Sequence, residues 1–169
     1  MRWRARVVAW VGVVLAVVLQ GALLTRLDIP LAITPVLVIV AAMRMTRTEA
    51  ALLGFFAGLL LDVTPPAEGL LGGSALVLCC AAYLAAANQY LVPRMWWVRA
   101  LFIGSLAALS VAAILALDVL TGTALVLGWG AALYLVWQFV LGTLAAALLW
   151  PVAVSTMGPP PRRPMGVAP

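Results

Sequence analysis

The chain has 169 residues, of which 66% are hydrophobic and 9% charged, with a mean hydropathy of +1.19. A soluble domain carries about a quarter charged residues, so this composition excludes an ordinary water-soluble fold and predicts an all-α integral membrane protein. The net charge of +5 comes from ten arginines with no lysine or histidine; they stand between apolar runs and read as topology signals, not as a nucleic-acid surface.

Five linkers separate six predicted spans, together forming a compact helical bundle over residues 1–157. The first, residues 7–25, lacks a small-residue cleavage site followed by a polar stretch, so it is expected to stay as a span. The second and third, residues 29–43 and 48–63, are short. A helix rises about 1.5 Å per residue and needs roughly 17 residues to cross the hydrocarbon, so these two must use their ends, thin the bilayer or lie against neighbours. Pro30 suits a first helical turn, and Pro35 is expected to kink the second span. An alternative folds residues 29–63 into a re-entrant hairpin entering from outside. It would bury Arg44 and Arg47 at membrane depth, which is costly, and two crossings are favoured.

The fourth, fifth and sixth spans cover residues 70–90, 100–120 and 131–154. Cys79 and Cys80 are adjacent, which rules out an ordinary structural disulfide or a spaced metal site and leaves packing. Residues 158–169 hold five prolines and two arginines and are expected to form a disordered cytoplasmic tail.

With both termini cytoplasmic, Arg2, Arg4, Arg6, Arg44, Arg47, Arg94, Arg99, Arg162 and Arg163 fall inside and Arg26 outside. Asp28, Asp62, Glu68 and Asp118 then lie near the outer side, with Glu49 inside. Trp3, Trp10, Trp96, Trp97 and Trp150 fall near inner ends, where an indole buries its ring and keeps its N–H wet.

The stretch GFFAGLLLDVTPPAEGLLGGSALVL, residues 54–78, is the most informative. Gly54, Gly58 and Asp62 are four apart and so rise along one side of a helix. Glycines at that spacing form a groove in which another backbone approaches closely, gaining dispersion contacts where lipid supplies no hydrophobic drive. Gly104 with Ala108, and Gly142 with Ala146, offer the same geometry. Asp62 is expected to point into the bundle or an outward cavity, since a carboxylate facing lipid is expensive. Pro65 and Pro66 end the helix, and Gly69, Gly72 and Gly73 permit a tight entry into the next, whose Ser74 or free N–H groups can receive Asp62. Two uses of Asp62 stand side by side: a structural staple or a ligand contact.

The run G-F-F-A-G-L-L-L-D followed by P-P-A-E-G-L-L-G-G-S-A-L-V-L-C resembles the signature region of the rod shape-determining protein MreD family, particularly its actinobacterial members. Residues 54–83 carry the resemblance, and in it Gly54, Gly58, Asp62 and Gly72 match the family's glycines and aspartate. It implies a non-enzymatic, multi-pass protein of the bacterial cytoplasmic membrane that binds the bitopic protein MreC. Its wider setting would be the cell-wall elongation machinery, with a SEDS glycosyltransferase and a class B penicillin-binding protein, supporting cell shape and peptidoglycan synthesis. The implied fold is similar to the six-helix substrate-binding subunits of vitamin uptake transporters.

The residues themselves argue against an enzyme. Without histidine or lysine, and with five carboxylates scattered over different linkers, no convergent catalytic or metal-binding set is visible, and no cofactor is implied. Asp62 and Asp118 meet near the outer surface only if the third and fifth spans are neighbours. The alternative function is a substrate-binding subunit of a vitamin-type transporter, because shortened spans containing Pro30, Pro35, Gly54 and Gly58 can border a midplane site. Gln20, Asn88, Gln89 and Gln138 are the main amides on the spans, a poor lining, and buried amides more often join membrane helices. Tyr83 and Tyr134 read as packing residues. The expected mechanism is assembly: a small-residue groove presented to a partner's single membrane helix.

Overall fold

Apolar runs that must satisfy their own backbone hydrogen bonds become helices, and helix is the regular structure found among the described residues. The computed structural model describes residues 7, 10–15, 17, 32–63, 72–93, 95–122 and 129–157. In chain order, α1 contains residues 10–15, α2 is Ile33–Ala42, α3 Arg47–Val63, α4 Gly73–Asn88, α5 Trp96–Leu120 and α6 Trp129–Met157. The first-span residues beyond those given, Pro30, Pro65, Pro66, Glu68, Gly69 and the tail 158–169 lie outside the described residues.

Two segments, Trp96–Leu120 and Gly130–Ser155, are long and apolar enough to cross a membrane. Of the six expected crossings, length and hydropathy therefore carry these two. α2 has ten residues and a length of about 15 Å, roughly half the hydrocarbon thickness. Eight of its ten residues are buried, and it packs on α3, α4, α5 and α6. A helix so short and so enclosed is a core element. α3 with α4, and α5 with α6, make the most extensive contacts in the bundle.

Pro35 does not kink α2. It is the third helical residue, within the first turn, where backbone N–H groups have no intrahelical acceptor and a missing one costs nothing. α3 starts with a reciprocal cap: the Thr46 N–H donates to Glu49 Oε2 at 3.3 Å and the Glu49 N–H to Thr46 Oγ1 at 3.4 Å. The sequence T-R-T-E ahead of an apolar run carries that signal openly. α1 lies on α3 through an edge-on contact of Trp10 with Phe56, centroids 5.6 Å apart. α6 runs through Pro151, whose ring nitrogen cannot donate to the Ala147 carbonyl.

The outside of the bundle is apolar. Leu133, Val136, Trp137, Val140, Leu144 and Leu148 follow one another at helical spacing along α6 and are all exposed. Cys80 is exposed as well and Cys79 half-buried, so the expectation that both are packing residues fails for Cys80, which lies on the outward face of α4.

Candidate functional site

The conspicuous polar joint of the bundle is built where α3 meets α4. A Cβ added at Gly54 would lie 2.8 Å from the Leu78 carbonyl carbon and 2.9 Å from the Ala82 Cβ. One added at Gly58 would lie 2.5 Å from both the Ala75 nitrogen and the Ser74 oxygen. Most of those atoms are backbone and cannot rotate away. The groove expected to receive a partner's helix is thus filled by α4 of the same chain, whose facing residues Ala75, Leu78, Ala82 and Ala86 are buried. Of the two uses expected for these glycines, helix packing is the one seen.

Asp62 closes the joint at its end. Its Oδ2 accepts from the Gly72 N–H at 2.8 Å and, at a longer 3.4 Å, from the Ala75 N–H. Gly72 is the N-cap of α4 and has no side chain to cap with, so a carboxylate from the preceding helix takes that role. The donors are main-chain groups; Ser74, also considered, is not the partner in these bonds. Gly72 has φ +96°, and a Cβ there would meet nothing within 4 Å. Backbone conformation, rather than space, requires glycine at this position.

Asp118, near the end of α5, lies within reach of the Asp62 charge. α3 and α5 are not among the helix pairs in extensive contact, so the neighbouring spans that sequence required for a meeting of Asp62 and Asp118 are not seen. Among the described residues no group of three His, Cys, Asp or Glu is placed to hold a metal.

The amides divide by role. Gln138 is fully buried and clasps the residue preceding α2: the Ala32 N–H donates to Gln138 Oε1 at 2.9 Å, and Gln138 Nε2 donates to the Ala32 carbonyl at 3.1 Å. Asn88 Nδ2 donates to the Leu84 carbonyl within its own helix, and Gln89 Nε2 reaches the Met45 carbonyl at 3.5 Å. Gln20 lies outside the described residues. Between α5 and α6, the expected small-residue contact is present, since Gly104 faces Thr143 and its Cα is 4.0 Å from a Cβ built on Gly142. Tyr83 is exposed, while Tyr134 is half-buried.

Sequence reasoning missed the opposite end. Arg44 was expected as a wet topology signal, yet it is only 5% exposed, because the short α2 draws the turn of Met43, Arg44 and Met45 into the bundle. Trp150, expected as an interfacial anchor, is only 8% exposed, whereas Trp96 and Trp97 are exposed. No local sequence pattern marks that difference.

No protein-family model, curated protein or solved structure matches this chain.

Proposed function

We propose that this chain is a non-enzymatic component of the bacterial cell-wall elongation machinery, a bundle in the cytoplasmic membrane that binds and positions an MreC-like bitopic protein. The observation that carries the reading is the α3–α4 joint. The residues through which the sequence resembles the MreD family, Gly54, Gly58, Asp62 and Gly72, all serve this one helix pairing, by close approach or by capping. Such a joint makes a stiff body, which suits a scaffold. The partner's membrane helix then docks on the outside of the bundle, because α4 already occupies the glycine face.

The transporter reading is weaker on the same geometry. Gln138, one of the few amides available to line a solute site, has both polar atoms engaged by Ala32. The test is to recover the tagged chain, after cross-linking, from membranes of its own host. Stoichiometric recovery of a single-span MreC-like protein supports the proposal; recovery of an ATP-hydrolysing pair in its place overturns it.

A further inference from the structure

Arg44, Arg99 and Trp150 meet at the end of the bundle opposite the Asp62 joint. The Arg44 guanidinium carbon lies 5.7 Å from the Trp150 ring centroid and that of Arg99 4.9 Å from the same ring. Arg99 Nε donates to the Pro93 carbonyl at 3.1 Å, which fixes its guanidinium there. Two like charges are therefore gathered around one buried indole. The ring quadrupole attracts both guanidinium groups, but it does not cancel the Arg44 charge.

Among the described residues, none accepts from the buried Arg44 Nε. Buried arginines are ordinarily paired, and arginine does not escape burial by losing its proton. Burial, and then the Arg99 charge, push the Arg44 guanidinium below its ordinary value, so the neighbouring charge that acts on it is of its own sign. Gln89, 8% exposed and bonded through Nε2 to Met45, also holds a buried Oε1 that finds no donor among the described residues. An unpaired donor and an unpaired acceptor thus flank one turn.

We propose that Arg44 and Arg99 form a binding site for a phosphate oxyanion, of the kind carried by an anionic phospholipid headgroup. A planar guanidinium presents forked donors that match phosphate oxygens, and basic pockets between membrane helices take lipid headgroups in this way. Trp96 and Trp97, exposed at the start of α5 close by in sequence to Arg99, mark the level of the headgroups. That location favours a lipid phosphate over a carboxylate on a partner protein. A headgroup hydroxyl, as in phosphatidylglycerol, would give Gln89 Oε1 its missing donor. Free phosphate offers the same oxyanion without acyl chains.

The experiment uses the full chain in nanodiscs of phosphatidylcholine alone, or of equal parts phosphatidylcholine and phosphatidylglycerol, with thermal unfolding as the readout. The parent should unfold several degrees higher in the mixed bilayer. Arg44→Gln should lose that gain while being at least as stable as the parent in phosphatidylcholine, because an uncompensated buried charge has gone. It should also bind phosphatidylglycerol about tenfold more weakly, the loss expected for one charge-assisted hydrogen bond. Arg99→Gln, at a half-buried position, should lose the same gain and decides the matter if Arg44→Gln does not fold. Sodium phosphate added to the phosphatidylcholine sample, against sodium chloride at equal ionic strength, separates the sources: an equal gain assigns the oxyanion site to free phosphate. A parent that responds to neither phosphate source, including one stabilised only by an acidic partner protein, overturns the proposal. So does a gain that persists in both variants.

Discussion

Asp62 does at long range what an N-cap side chain does locally, and this separates shape from charge at one position. Asp62→Asn keeps an acceptor oxygen and should retain most of the stability. Asp62→Leu leaves the Gly72 N–H unpaired at a half-buried helix start, with a loss on the order of 1 kcal/mol. Thermal unfolding of the two purified variants checks this, and equal stability of Leu and Asn would remove the capping role. A second pair of substitutions tests the backbone requirement. Gly72→Ala should destabilise by about 1 kcal/mol, since an L-residue is strained at φ +96°. Gly130→Ala, in a helix with open space around it, should be neutral or slightly stabilising. The docking of Asp62 at a helix start was readable because the four-residue spacing fixed its side and glycines ahead of α4 announced open donors. The burial of Arg44 was not, since an arginine between two apolar runs looks the same whether its turn is wet or drawn inward.

The helix pairs owe their contact to what is missing from them. On α3, even a methyl group at Gly58 would collide with the α4 backbone, so Gly58→Ala should destabilise the bundle and Gly58→Leu should do so more, whereas Leu60→Ile on the outward side should not. Unfolding midpoints in detergent give the comparison; a Gly58→Leu variant as stable as the parent would mean that α3 and α4 are not packed at this depth. That glycine face was legible as a surface for close approach, but its occupant was not, because spacing defines a groove without saying which helix fills it. α2 shows the complementary limit. Its shortness was evident from the linkers, yet its place at the centre depends on contacts with four helices, most of them distant in sequence. The Thr46–Glu49 cap, by contrast, is spelled out in four consecutive residues.

For the molecule as a whole, the arginine distribution makes a directional prediction that the bundle geometry sharpens. Thr48, at the start of α3, and Thr121, just past α5, are both exposed, and they should face opposite sides of the membrane. Single cysteines at these positions, in a background lacking Cys79 and exposed Cys80, should behave differently towards an impermeant thiol reagent. Thr121→Cys should react in intact cells and Thr48→Cys only after the membrane is opened. Labelling of Thr48→Cys in intact cells would favour the re-entrant course of residues 29–63. The Gln138 clasp has a further consequence, for biosynthesis. Asp62 and Gly72 are ten positions apart, so their bond can close as soon as that hairpin leaves the ribosome; Ala32 and Gln138 are separated by 106 positions. Early loop closure is entropically cheaper than late. A chain released after residue 122 should therefore protect the amide protons of α3 and α4 from exchange while leaving those of α2 open, and only the arrival of the last helix should lock the centre. The element that four other helices enclose is, on this view, the last to become native.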